Sequence, residues 1–533
     1  MSMARAWLVL LALGLSLGSD ALVPPRPAGA QPKEQLGTVD FANSCTPAVQ
    51  ESFQRSVAML HSFRYGEGER AFREVLVQDP TCAIATWGIA ALLMNNPLAG
   101  IGPTKEWAER AQAAIDQGRK IGAKTARERD YIEAVAAYYE DWSNRPERVR
   151  QQNRAKAFEA LAARYPADDE AQIFYALYLA STQSLADQSY TAYLTAAGIL
   201  EKQFAKHPDH PGVAHYLIHS YDAPPIAAKG VPAARRYASI APAAPHALHM
   251  PSHIFTRVGL WSESVETNAR SVEASRREGD NDEQAHAMDY MVYAYLQLAR
   301  DTDAKRVVDE RSQVGRAVRF AAPYALAAMP ARYAAEREDW ATAAKLEPTP
   351  SQFPFTEALT HFARGIGAAR SGDAAGAERE GQELTRLRDA LRAAKSEYWA
   401  GEVEVSRLGV TAWAALARGK ADEALALMRS AADAEDRSEK HIVTPGRILP
   451  ARELLGDMLL ELKRPAEALK EFETSQLREP GRFRGYAGAA RAAVQSGDRA
   501  KARHYYVKLV DMAGAGDARP DLSQARAFLA ANP

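Results

Sequence analysis

An all-α fold assembled from antiparallel helix pairs is what this sequence predicts, on three observations. Alanine is abundant throughout, aromatic residues reach only 8% and runs of β-branched residues are scarce, which favours helices over a sandwich or a doubly wound sheet. A chain of 533 residues that is 47% hydrophobic and 25% charged must bury a core. Small and aromatic residues also recur at a fixed spacing near the C-terminus. The 66 Lys and Arg balance 67 Asp and Glu, which removes the usual electrostatic ground for binding nucleic acid or an anionic membrane.

Gly456, Ala468, Phe472 and Pro480 set the repeat: small residues let two helices approach, an aromatic fills their groove and a proline ends the unit. Adding 34 residues to Ala468 and Phe472 reaches Ala502 and Tyr506, so small and aromatic keep their places. At the other end, Gly68, Phe72 and Pro80 fit the same offsets, and Trp87-Gly88 opens the next helix. Further pairs are expected over Ile254 to Ser275, Met288 to Glu310, Glu357 to Leu387 and Leu408 to Ala432. Their turns carry Gly259-Leu260-Trp261, Ser371-Gly372-Asp373 and Gly419-Lys420-Ala421-Asp422. On these residues the chain resembles tetratricopeptide-repeat proteins, strongly over 456–506 and in degenerate form elsewhere. The resemblance implies a tetratricopeptide-type α-solenoid whose concave face holds a peptide or protein partner.

The expected layout is a signal peptide and Pro-rich leader over 1–30, helical repeats over 40–206, a His-rich central segment over 207–300 and further repeats over 301–533. Arg5 followed by the apolar block Ala6 to Leu17 is too short to span a bilayer and fits an export signal, with cleavage near Ser19-Asp20-Ala21 or Ala28-Gly29-Ala30. The expected location is therefore periplasmic or secreted, without stable membrane insertion after cleavage. If Pro47 to Phe63 and Gly66 to Gln78 form a hairpin, Cys45 and Cys82 meet at its open end, either as a disulfide or as two buried thiols.

Seven of the 12 histidines, at 207, 210, 215, 219, 246, 249 and 253, fall within 47 residues, where an even spread would put about one. His215, His219 and Asp222 share one face if the segment is helical, and so do His246, His249 and His253 once Pro251 is accommodated at the start of a helix or within it. His286 and Asp289 stand three apart at the entry of a later helix. Any one histidine on an apolar helix is more often a core residue bonded to a carbonyl. Six imidazoles together, His215, His219, His246, His249, His253 and His286, are expected to bind a divalent metal ion: Zn, Cu or Fe. Asp222 and Asp289 are the candidate catalytic carboxylates, as general bases, or else secondary metal ligands or groups orienting imidazoles from behind. His61 and His441 are distant candidates, whereas His207 and His210 read as loop residues.

Tyr216, Tyr221, Tyr290, Tyr293 and Tyr295 are candidate proton donors or hydrogen-bonding walls of this site, with aromatic filling of a solenoid groove the ordinary account, and Arg235, Arg236 and Arg257 are candidate anion binders whose default is solvated surface. His-Tyr-Leu-Ile-His followed by Pro-His-Ala-Leu-His-Met-Pro-Ser-His-Ile-Phe is similar to a segment of uncharacterised secreted bacterial tetratricopeptide proteins, from which no activity carries over. The sequence holds no His-Glu-x-x-His helix, phosphate loop, Gly-x-Ser-x-Gly elbow or finger-spaced cysteine pair. Two functions therefore stand side by side: a metal-dependent hydrolase or oxidoreductase, and a non-catalytic adaptor binding peptides or proteins.

Overall fold

The computed structural model describes residues 34–317 and 319–532, so the expected leader over 1–30 lies outside the described residues. Helices make up 71% of the described residues, and strands are absent among them. Successive helices pack as neighbours in pairs.

The first pair is Gln50–His61 and Tyr65–Gln78, with the short turn Pro47–Val49 leading in. Cys45 and Cys82 close its open end as a disulfide, with Cα atoms 4.8 Å apart. The four pairs expected further on are Pro251–Val258 with Trp261–Glu278, Asn281–Gln297 with Asp301–Glu310, Pro354–Arg370 with Ala374–Ala393, and Glu397–Ala417 with Ala421–Glu435. Gly259, Gly372 and Gly419 take left-handed φ of 75°, 86° and 74° in three of the intervening turns. Near the C-terminus the Phe472 ring of Pro465–Ser475 lies against Gly456 and Gly488 of the helices on either side, where a Cβ would meet it at 2.7 and 2.3 Å. That close approach is the physical content of the spacing read from the sequence.

The stretch from Pro208 to Pro251, which holds eight prolines, is helical in short pieces: Pro211–Ser220, Val231–Ile240, Pro245–His249 and Pro251–Val258, of 10, 10, 5 and 8 residues. Pro211, Pro245 and Pro251 open three of them, at positions where a missing N–H costs nothing. One apolar core runs from Leu36 to Phe255, so this stretch packs on the N-terminal helices. Most of the later helices share a second large core that includes Phe362, Leu384, Trp413 and Phe472. No described helix is long and apolar enough to cross a membrane.

Candidate metal centre

Three helical stretches bring the six histidines together. His215 and His219 lie one turn apart on Pro211–Ser220. Gly212 lets that helix close on Gln50–His61, because a Cβ there would strike the His61 ring at 2.2 Å. His246, His249 and His253 span Pro245–His249 and Pro251–Val258. Met250 between them keeps right-handed helical dihedrals, so the i, i+3, i+7 face continues through the junction. His286 is presented by Asn281–Gln297.

The imidazoles sort into two trios, His215–His219–His246 and His249–His253–His286, whose ligand nitrogens lie within 4.8 Å of one another, and each trio can hold a metal ion. His215 Nε2 stands 3.2 Å from Nε2 of both His219 and His246, and His249 Nε2 stands 3.0 Å from His253 Nε2. Two nitrogens bound about 2.0–2.1 Å from a tetrahedral ion stand roughly 3.3 Å apart, so this spacing suits a shared cation. The trios are adjacent: ring centroids are 5.6 Å apart for His219–His253 and 5.9 Å for His246–His249.

Behind four of the rings, partners hold the opposite nitrogen. His215 Nδ1 donates to the His61 carbonyl at 2.7 Å, His246 Nδ1 to Glu283 at 3.0 Å, His249 Nδ1 to Asn268 Oδ1 at 2.7 Å and His253 Nδ1 to Asp222 at 2.9 Å. Asn268 donates its amide N–H to the Ser264 carbonyl, which leaves its oxygen for His249. A carbonyl or carboxylate can only accept, so Nδ1 carries the proton and Nε2 presents a lone pair. His215 with His246, and His249 with His253, therefore face each other acceptor to acceptor. Burial favours the neutral form of His215, His219, His249, His253 and His286, and neighbouring imidazoles add to this.

Burial opposes the charge on Asp222, yet Lys440 and Arg257 hold its carboxyl far below the usual range. Arg257 donates to Asp222 at 2.8 Å, and the Lys440 ammonium lies 3.7 Å away. Glu283 is likewise buried, and the hydrogen bond from His246 and the nearby Arg319 hold its carboxyl below the usual range. Phe63, at a left-handed φ of 52°, lays its ring against His246 at 5.3 Å and edges onto His215 at 4.5 Å. The Tyr290 hydroxyl lies 3.4 Å from His253 Nε2.

No protein family profile and no curated protein matches this chain. The site's chemistry is therefore read from its own atoms.

Of the residues expected from sequence, the six histidines converge. Asp222 sits just past the end of Pro211–Ser220 and orients His253 from behind instead of facing the lone pairs as a base. Asp289 does not join the cluster: it is fully buried against Arg332, 2.8 Å away, which makes it that guanidinium's counter-ion. His61 contributes its carbonyl, while its ring and that of His210 flank Glu170 at 3.0 and 2.9 Å. His61 Nδ1 meets Tyr216 and His210 Nδ1 accepts from Val213, so that trio has its nitrogens engaged. His441 accepts from Val443 and donates to the Ala99 carbonyl, away from the imidazoles. His207 caps a helix end beside Asp169. Arg257 is buried on Asp222 instead of awaiting an anion, and Arg235 and Arg236 lie on the surface. Tyr221 bonds Glu201, Tyr293 bonds Arg482 and Tyr295 packs under Arg300. Sequence reasoning missed His61 O, Phe63, Asn268, Glu283 and Lys440. Only Glu283, three residues before His286, carried a local signal.

Proposed function

We propose that this protein is an exported, tetratricopeptide-type helical protein that carries a pair of metal ions, one per histidine trio, and acts as a metal-dependent oxidoreductase. The observation that carries this reading is the acceptor-to-acceptor facing of Nε2 lone pairs at 3.0–3.2 Å, with Nδ1 held from behind on four rings. Such facing is repulsive for neutral imidazoles and becomes favourable around a cation.

Charge supports copper over zinc or iron. All six ligands are neutral, and non-haem iron sites ordinarily include a carboxylate. The nearby carboxylates Asp222 and Glu283 are already balanced, the first by Arg257 and Lys440 and the second in part by Arg319. Two zinc ions would bring four positive charges into this buried place, whereas two cuprous ions bring half that. A bound copper pair supplies reversible dioxygen binding and two-electron chemistry. The chain's part is to keep the imidazoles neutral, to aim them through Asp222, Glu283, Asn268 and His61 O, and to screen them from bulk water.

The test is anaerobic loading with cuprous ion, followed by metal analysis and oxygen uptake on exposure to air. Two copper ions per wild-type chain are expected, falling to one in His215→Ala and in His249→Ala. Two zinc ions held in preference to copper would move the reading to hydrolysis. A metal-free wild type, with unaltered thermal stability in both variants, would leave the adaptor that binds peptides on a concave face.

A further inference from the structure

The imidazoles form one wall of a small, partly open cavity. His219, His246, His253 and His286 contribute from one side, and Phe320, Ile442 and Val443 form an apolar wall. Polar atoms at this cavity are left without partners to a degree seen nowhere else in the site. Tyr65 Oη, Asn95 Oδ1, Glu283 Oε1 and the Nδ1 atoms of His219 and His286 are all buried and make no hydrogen bond, and all five residues line the cavity. Tyr65 Oη, Asn95 Oδ1 and Glu283 Oε1 belong to neither histidine trio, and a buried polar atom left unsatisfied is costly, so these three call for a polar ligand.

The chemistry of these groups defines the ligand. Asn95 Oδ1 and Glu283 Oε1 only accept, so the ligand must offer donors, while Tyr65 Oη donates or accepts. Arg319, which lines the same cavity, is already paired with Asp280 at 2.8 Å and with Asp282, so it makes no demand of its own on the ligand. The apolar wall with one aromatic face suits a flat ring. We propose that this cavity binds a small, neutral, hydroxylated single-ring aromatic, a phenol or dihydroxybenzene, with its hydroxyls on Tyr65 and Asn95 and its ring against Phe320, Ile442 and Val443. As the substrate class of the oxidoreductase, this assignment rests on the metal reading above; as a binding site it is measured separately.

Isothermal titration of resorcinol into the full-length chain tests it, once metal-free and once zinc-loaded so that no turnover intervenes. One equivalent is expected to bind, with affinity falling about five- to tenfold in Tyr65→Phe and in Asn95→Gly, which keeps the backbone conformation while removing the acceptor. Toluene, a ring without donors, and cyclohexane-1,3-diol, donors without a flat ring, are each expected to bind at least about tenfold more weakly. The inference is overturned if a chain that loads two metal ions takes up no resorcinol, if toluene binds as tightly, or if both variants bind unchanged, which would mean a cavity for water only. Resorcinol bound by a chain that never retains metal would uphold the site and overturn the oxidoreductase.

Discussion

His253 and Asp222 are joined by a 2.9 Å hydrogen bond between Nδ1 and a carboxylate oxygen, both side chains buried to within 2% of full enclosure. That bond sets the tautomer of His253 and points its Nε2 at His249, 3.0 Å away. Glu283 does the same for His246 in the other trio. Each trio thus has its own carboxylate behind it, anchored on a different helical stretch.

The first prediction is that these two carboxylates act on separate ions. Asp222→Asn is expected to weaken one metal ion by about 10- to 100-fold and Glu283→Gln the other. Competition with a chelator of known affinity, read as two titration steps, checks this. Equal weakening of both steps in either variant would sink it.

Asn268 supplies a geometric control without charge. Asn268→Ala removes the acceptor for His249 Nδ1 and is expected to weaken one ion by about tenfold, whereas Asn268→Asp retains an acceptor and restores binding. Loss in both variants alike would mean that the residue serves packing alone.

The disulfide closes a stretch with a sequence separation of 37, Cys45 to Cys82. Reduction, or replacement of both cysteines by serine, is expected to lower stability by about 2–4 kcal/mol. Urea denaturation with and without reductant measures it. Metal content at low denaturant should stay unchanged, because the bridge lies at the far end of the hairpin from His61.

Glu435 gives a pH signature well away from the imidazoles. Burial foremost, with Arg447 and the Ala451 N–H opposing it, pushes its carboxyl up to about 7, and Glu402 and Glu479 add to the rise. The folded state thus binds the proton more tightly than the unfolded chain, whose carboxyl titrates near 4.5. The stability from the protonated form is fully present below about 4.5 and is lost as pH rises through about 7. Glu435→Gln mimics the protonated form, so its melting temperature is expected to gain on that of the wild type between pH 5 and pH 8. A constant difference across that range would show that Glu435 is ionised throughout.

The sequence by itself determined that the chain is helical, where its helix pairs turn, and which six histidines are the ones to watch. Those are local properties: alanine content, glycine at turns, a 34-residue recurrence at Ala468 and Phe472, and helical spacings within short stretches. Eight prolines between 208 and 251 rule out a regular repeat there, and in the structure Pro211, Pro245 and Pro251 start short helices. Only the tertiary structure decided which histidines share an ion, and which atoms stand behind them. The His61 carbonyl reaches His215 across 154 residues, and Glu283 reaches His246 across 37. Asp289 matched Asp222 in local pattern, and it was Arg332, 43 residues away, that took it out of the cluster. Lone-pair direction depends on what lies behind a ring, and that is set by the packing of helices distant in sequence, which no local spacing encodes.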